Sequence, residues 1–149
     1  MTETTARIAL PLIAAGQAQK EMTHNEALTL LDIAVQASVV AAGTNAPPAD
    51  PQMGQCWIVG PAPTGAWSGH PDSLAGWTEG GWRFVAPRDG ATAWVTGSDT
   101  VARYVAGAWR IAAPAVATPT GGTTIDQQAR DAIAAVVASL RHHGLLISA

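Results

Sequence analysis

From Gln17 to about Val40 the chain has neither proline nor glycine, and Met22, Ala27, Leu28, Leu31, Ala34, Val35 and Val39 recur at three- and four-residue steps. That spacing predicts an amphipathic helix. Thr23-His24-Asn25-Glu26 also has the form of a capping box, so the helix starts either at Gln17 or at Thr23. The apolar stretch before it, Ile8 to Ala15, contains Pro11 and reads as extended chain or a turn. Residues 1–42 are thus expected to form an extended segment and a helix. "GTNAPPADPQMGQ", residues 43–55, is rich in breakers and reads as a linker.

The period changes after that. Short runs such as "CWIV", "WRFVA", "TAWVTG", "TVARYVAG" and "AWRIA" are separated by Gly, Pro and Asp. They predict a small antiparallel sheet over residues 54–113. The clearest hairpin is "TVARYVAGAWRI". With Ala106-Gly107 as its turn, Val105 faces Ala108 and Tyr104 faces Trp109. Ala102, Tyr104, Trp109 and Ile111 then share one face, and Arg103 lies opposite Arg110 on the other, near solvent or an anion.

"AAPAVATPTGG", residues 112–122, reads as a second linker. Residues 123–149 hold a second helix, over 124–143. Thr124 to Gln127 forms a capping box, and Ile125, Ala129, Ala132, Ile133, Val136, Val137 and Leu140 make an apolar stripe. Gly144 followed by Leu145 is a Schellman-type stop. A stripe of this kind on one helix needs a partner, and its Ile and Val positions are compatible with a trimer. Ile133, Val136 and Leu140 are the expected subunit contacts. The fold class is α+β: a helix, a Trp-rich antiparallel sheet, and an oligomerising helix.

Composition narrows the function. The chain has 149 residues, of which 13 % are charged, with a net charge of −3 and no basic run. Nucleic acid is not an expected partner, and the low charge favours self-association. No segment approaches the ~20 apolar residues of a membrane-crossing helix, and Glu3 and Pro11 argue against reading the start as a signal peptide. The one cysteine, Cys56, lies in a predicted strand and reads as a buried, inert thiol. No cofactor or metal is expected, because His24, His70, His142, His143 and Cys56 lack ligand-like spacing. No nucleophile motif or facing carboxylate pair is visible, so the chain is not expected to be an enzyme.

Two features remain to be explained. "GQAQKEMTHNEAL", residues 16–28, concentrates polar residues between apolar flanks. Gln17, Gln19, His24 and Asn25 are expected either to bond across subunits or to the β region, fixing register, or to cap their own helix and hold the "LPLI" segment against it. The other feature is the six tryptophans, all within residues 54–113. Most Trp side chains serve a core. Trp67 in "TGAWSGHPD" and Trp77 in "LAGWTEGG" are expected in Gly-rich loops, where an indole offers an apolar face to a sugar ring. Trp67, Trp77, His70 and Asp72 form the expected carbohydrate site, with Arg103 and Arg110 available for acidic sugars.

"LPLIAAGQAQKEMTHNEALTLLDIAVQ", "GQCWIVGPAPTGAWSG" and "GGWRFVAPRDGATAWV" together resemble an uncharacterised family of alphaproteobacterial phage and gene-transfer-agent structural proteins, over about residues 8–112. The closing "TTIDQQARDAIAAVVASLRHHGLL" is similar to the terminal helix appended to such proteins. The resemblance implies a head-spike or tail-fibre component, made in the cytoplasm and assembled into a phage-like particle beside other particle proteins. A role in binding host-surface polysaccharide follows from that setting together with the tryptophans. The alternatives are a purely structural connector between fibre and particle, and a virion-associated polysaccharide hydrolase.

Overall fold

A computed structural model describes residues 3–16, 19–112 and 115–146. Helix α1 spans Lys20–Ala34. Eight strands follow: β1 Ser38–Val39, β2 Ala42–Thr44, β3 Cys56–Val59, β4 Leu74–Thr78, β5 Gly81–Val85, β6 Thr92–Val95, β7 Thr100–Val105 and β8 Ala108–Ile111. Helix α2 spans Gln127–His142. The α+β class therefore holds, but the strands form two four-stranded sheets rather than one. The first has the order β2-β3-β4-β5 and the second β1-β6-β7-β8. In each, a short edge strand runs parallel to its neighbour, and the other three strands form an antiparallel meander.

The expected end of the first helix near Val40 is corrected. The helix stops at Ala34, and Gln36 takes a left-handed conformation with φ 46°. Arg7 helps to set this stop: its guanidinium donates to the carbonyls of Asp32, Ile33, Val35 and Gln36. A cation on the free carbonyls of a helix end satisfies them and complements the dipole. The stretch after it, with β-branched Val39 and Val40, is released to become β1, where Val39 pairs with Val95. The start is corrected too. Lys20 is the first helical residue, and neither the capping box at Thr23 nor a side-chain cap at Gln19 is used. At α2 the cap is Asp126, whose carboxylate accepts from the Ala129 amide at 2.9 Å, rather than Thr124. The expected stop at Gly144 is present: its φ is 68°, and the Leu145 amide donates back to the Leu140 carbonyl at 2.9 Å.

The β7–β8 register is the one expected. Tyr104 pairs with Trp109, Val105 with Ala108, and Arg103 with Arg110. Ala106 and Gly107 both have positive φ, 52° and 77°, which the primed two-residue turn requires.

The two sheets are copies of one module. Asp72–Val85 aligns without a gap on Asp99–Ala112, sharing Asp72/Asp99, Ala75/Ala102, Gly80/Gly107, Trp82/Trp109 and Arg83/Arg110; Ala86-Pro87 and Ala113-Pro114 follow. Strand pairing carries the match one strand further, because Trp57 pairs with Ala75 as Ala93 pairs with Ala102. Asp72 and Asp99 both sit at positive φ, 60° and 50°. The modules differ in their connections: the first module is inserted between β1 and β6 of the second, and the links between second and third strands also differ in length. Residues 60–73 fill that space in the first module, where residues 96–99 suffice in the second.

Alternation gives each sheet a front and a back. The front of the second module (Ala93, Val95, Ala102, Trp109) packs on the back of the first (Cys56, Ile58, Leu74, Val85). Helix α1 covers the rest of that back face through Ile33. Gly76 leaves the space it needs, since a Cβ there would lie 2.6 Å from the Ile33 side chain. Burial pushes the Cys56 thiol up to about 11 from its ordinary 9.0. The unfolded chain ionises first, so stability is expected to fall as pH rises from about 9 to about 11. Native Cys56 should resist alkylation at pH 8 and react freely in denaturant; rapid labelling of the native protein would contradict this burial.

Candidate functional site

The front of the first sheet is aromatic. Trp57, Trp77, Trp82 and Phe84 alternate onto it, with Val59 and Ala75 between them. Residues 60–73 fold over this face through one turn of 3-10 helix, Gly65–Trp67, and bring Trp67 down onto it. The Trp67 ring lies 6.2 Å from Trp57 and 5.2 Å from Trp82, tilted on one and edge-on to the other. Trp77 meets Trp82 edge-on at 5.0 Å. His70, from the same loop, stacks flat on Phe84 at 3.8 Å. Edge-on and offset contacts are the favoured geometries for such rings.

Burial separates these side chains into two groups. Trp67 is 0 % exposed, so the expectation that it stacks on a sugar is corrected: its ring is already sandwiched. Its indole N–H has no partner among the described residues. Trp77, Trp82 and Phe84 are half-buried and His70 is exposed, leaving an aromatic row at the surface. Asp72 lies at the foot of the loop, and its carbonyl accepts from the Trp109 indole N–H at 2.7 Å, tying the loop to the second module. Trp67 and Trp77 thus share the front face through Trp82, and His70 joins it through Phe84. Trp77, expected in a loop, lies instead in β4, and Asp72 contacts the second module. Trp82 and Phe84 were missed as site residues; their alternation with Arg83 in "GWRFV" is the signal that places them on the face of Trp77.

Arg103 and Arg110 are elsewhere, exposed on the back of the second sheet. The "GQAQKEMTHNEAL" cluster mostly serves its own segment. Asn25 grips Ile13 twice, its amide N–H donating to the carbonyl and its side-chain oxygen accepting from the backbone N–H, both at 2.9 Å. Glu21 accepts from the Gly16 amide, and His24 Nδ1 lies 2.9 Å from the Lys20 carbonyl. These contacts, all within the chain, are those of the holding role. Gln19 is exposed at the helix start, and Gln17 lies outside the described residues. Among the described residues of the cluster, Glu26 reaches the β region, pairing with Arg83 at 2.9 Å.

A cavity of about 200 Å³ lies between the N-terminal segment, α1 and the β4–β5 turn. Most of its charged groups are committed: Asp32 accepts from Thr5 Oγ1, Arg7 N and Ile8 N, and Glu26 holds Arg83, while Glu79 lies exposed at its rim. Among the described residues no three of His, Cys, Asp and Glu converge. On α2, Val137 is buried and Leu140 half-buried, whereas Ile133 is 45 % and Val136 58 % exposed.

A family model described as "Protein of unknown function (DUF2793)" matches residues 24–137, well over half of the chain. No curated protein matches it.

Proposed function

This chain belongs to the DUF2793 family, and from that premise we propose that it is a carbohydrate-binding structural component of a phage-like particle, a head spike or tail fibre that meets host-surface polysaccharide. The observation that carries the binding half of this reading is the surface row Trp77, Trp82, Phe84 and His70 on the front of the first sheet. Such a row offers apolar faces to the C–H faces of successive sugar rings. The rings brace one another edge to edge, so little conformational freedom is lost on binding. The particle setting rests on the sequence resemblance.

Exposed Ile133 and Val136 on α2 supply a surface for further copies or for other particle proteins. Weak single-site contacts with a glycan are then multiplied by copy number. The same exposed stripe favours the second reading, a connector that joins a fibre to the particle and binds no glycan.

Trp77→Ala is expected to weaken binding to capsular polysaccharide from host cells by about three- to tenfold, the worth of one aromatic stacking contact. The check is pull-down on capsulated and capsule-deficient cells, with copy number from light scattering. Equal binding to both cell types, or none to either by a folded oligomer, would support the connector.

A further inference from the structure

We infer that the back of the second sheet is a separate anion-binding face, built from Arg103, Arg110 and Trp94, that takes the carboxylates of an acidic polysaccharide. The inference deepens the glycan-binding reading by naming a second subsite and its charge class. It rests on comparing the two modules, each of which serves as a control for the other.

Arg83 and Arg110 are equivalent positions, each facing the back of its own sheet. In the first module that face is covered. Glu26 of α1 holds the Arg83 guanidinium at 2.9 Å, and the residue cross-strand from Arg83 is Gly76, against which Ile33 is seated. In the second module no helix among the described residues supplies a carboxylate to Arg110. Among the described residues neither Arg110 nor Arg103 has a hydrogen-bond or ion-pair partner, and both side chains are exposed. The position of Gly76 is taken by Arg103, directly opposite Arg110. Two like charges facing each other across strands oppose folding. A bound anion removes that repulsion and gains two charge-assisted hydrogen-bonding forks.

The third element is Trp94. It pairs with Val101 and alternates onto the same back face, one diagonal step from Arg103. Its indole is 38 % exposed, and it is braced from one side by the α2 stop: a Cβ on Gly144 would lie 2.7 Å from Trp94 Cζ3. A held, partly exposed ring diagonal to Arg103, with Arg110 opposite Arg103 on the next strand, suits a carboxylate-bearing sugar, with the ring under the pyranose and the forks on the carboxylate. It suits nucleic acid poorly, because affinity for a phosphate backbone grows with the number of cations, and this chain has only 8 Lys and Arg in total at net charge −3.

The test is isothermal titration of the full chain with an oligoguluronate hexasaccharide and, separately, with neutral maltohexaose, on wild type and on Arg103→Gln with Arg110→Gln. The double variant is expected to lose at least about tenfold in affinity for the acidic sugar. Its affinity for the neutral sugar should be unchanged, and its Tm equal or higher, since a repulsion is relieved. Acidic-sugar binding by wild type should weaken with added salt. Neutral-sugar binding without acidic-sugar binding would overturn this inference and leave the front-face reading standing; binding of neither overturns both. Duplex DNA bound as tightly as the acidic sugar would overturn the saccharide assignment. A double variant that drops in copy number by light scattering, with acidic-sugar affinity intact, would make the face a subunit contact instead.

Discussion

Trp67→Ala is expected to destabilise the protein by about 3–5 kcal/mol, the range for emptying a buried aromatic site, and to lower Tm by on the order of 10 °C. The ring is 0 % exposed and packs against both Trp57 and Trp82, so its removal opens the whole front of the first sheet. The loss reaches further than one side chain, because Trp67 is the anchor of the 60–73 loop that also presents His70 to Phe84. Trp67→Phe keeps a ring in the site and discards an indole N–H that has no partner, so it should cost distinctly less than alanine. Thermal denaturation of the two variants beside wild type is the check. A Trp67→Ala protein that melts within about 2 °C of wild type and binds glycan less well would return Trp67 to the surface as a sugar-stacking residue.

Asp32→Ala is expected to cost about 3 kcal/mol and to free the N-terminal segment from the body of the protein. Asp32 is buried, 4 % exposed, and satisfies three donors on that segment: the Thr5 hydroxyl at 2.8 Å, the Arg7 amide at 3.0 Å and the Ile8 amide at 2.8 Å. Alanine leaves all three without an acceptor. Arg7 depends on the same anchor, and its guanidinium closes the C-terminal end of α1. Local release should therefore show as faster tryptic cleavage after Arg7, in addition to a lower Tm. Asp32→Asn should fall between, since one oxygen remains while an N–H₂ now confronts a backbone donor. A trypsin-resistant Asp32→Ala variant would mean that the segment is held mainly by Asn25 and by the pairing of Thr4 with Pro11.

The corrections to the helix ends share a cause. Each capping box is a local pattern, and each lost to a cap at another residue or to no side-chain cap. Val35 to Val40 satisfies helical spacing and strand preference alike. What decides is Arg7, far away in sequence, and a strand partner, Val95, further still. The β7–β8 hairpin went the other way. Its partners are neighbours in sequence and its two-residue turn admits one register, so every cross-strand pair was legible before the fold was known.

The candidate site was legible in part. Gly-rich surroundings picked out Trp67 and Trp77 together, but exposure depends on what a loop folds onto. The 60–73 loop folds inward onto its own sheet and buries Trp67, while Trp77 keeps an open edge. The module duplication was written in the sequence from Asp72 and Asp99 onward, and it was obscured upstream because the modules differ in the length of their second connection.

By itself, then, the sequence determined the elements whose signals are local: a Trp-rich antiparallel meander between two helices, the register of the last hairpin, the stop at Gly144, and a cysteine with no use for its thiolate. The tertiary structure alone decided which positions are free to act. It sent β1 and β2, from one continuous stretch, to two different sheets, buried the loop tryptophan Trp67 while Trp77 on β4 kept an open edge, and gave Arg83 a carboxylate while leaving its twin Arg110 without one among the described residues. The reason is physical. Local pattern sets backbone conformation, but burial and charge pairing are contests among segments distant in the chain, and their outcome depends on which surfaces meet.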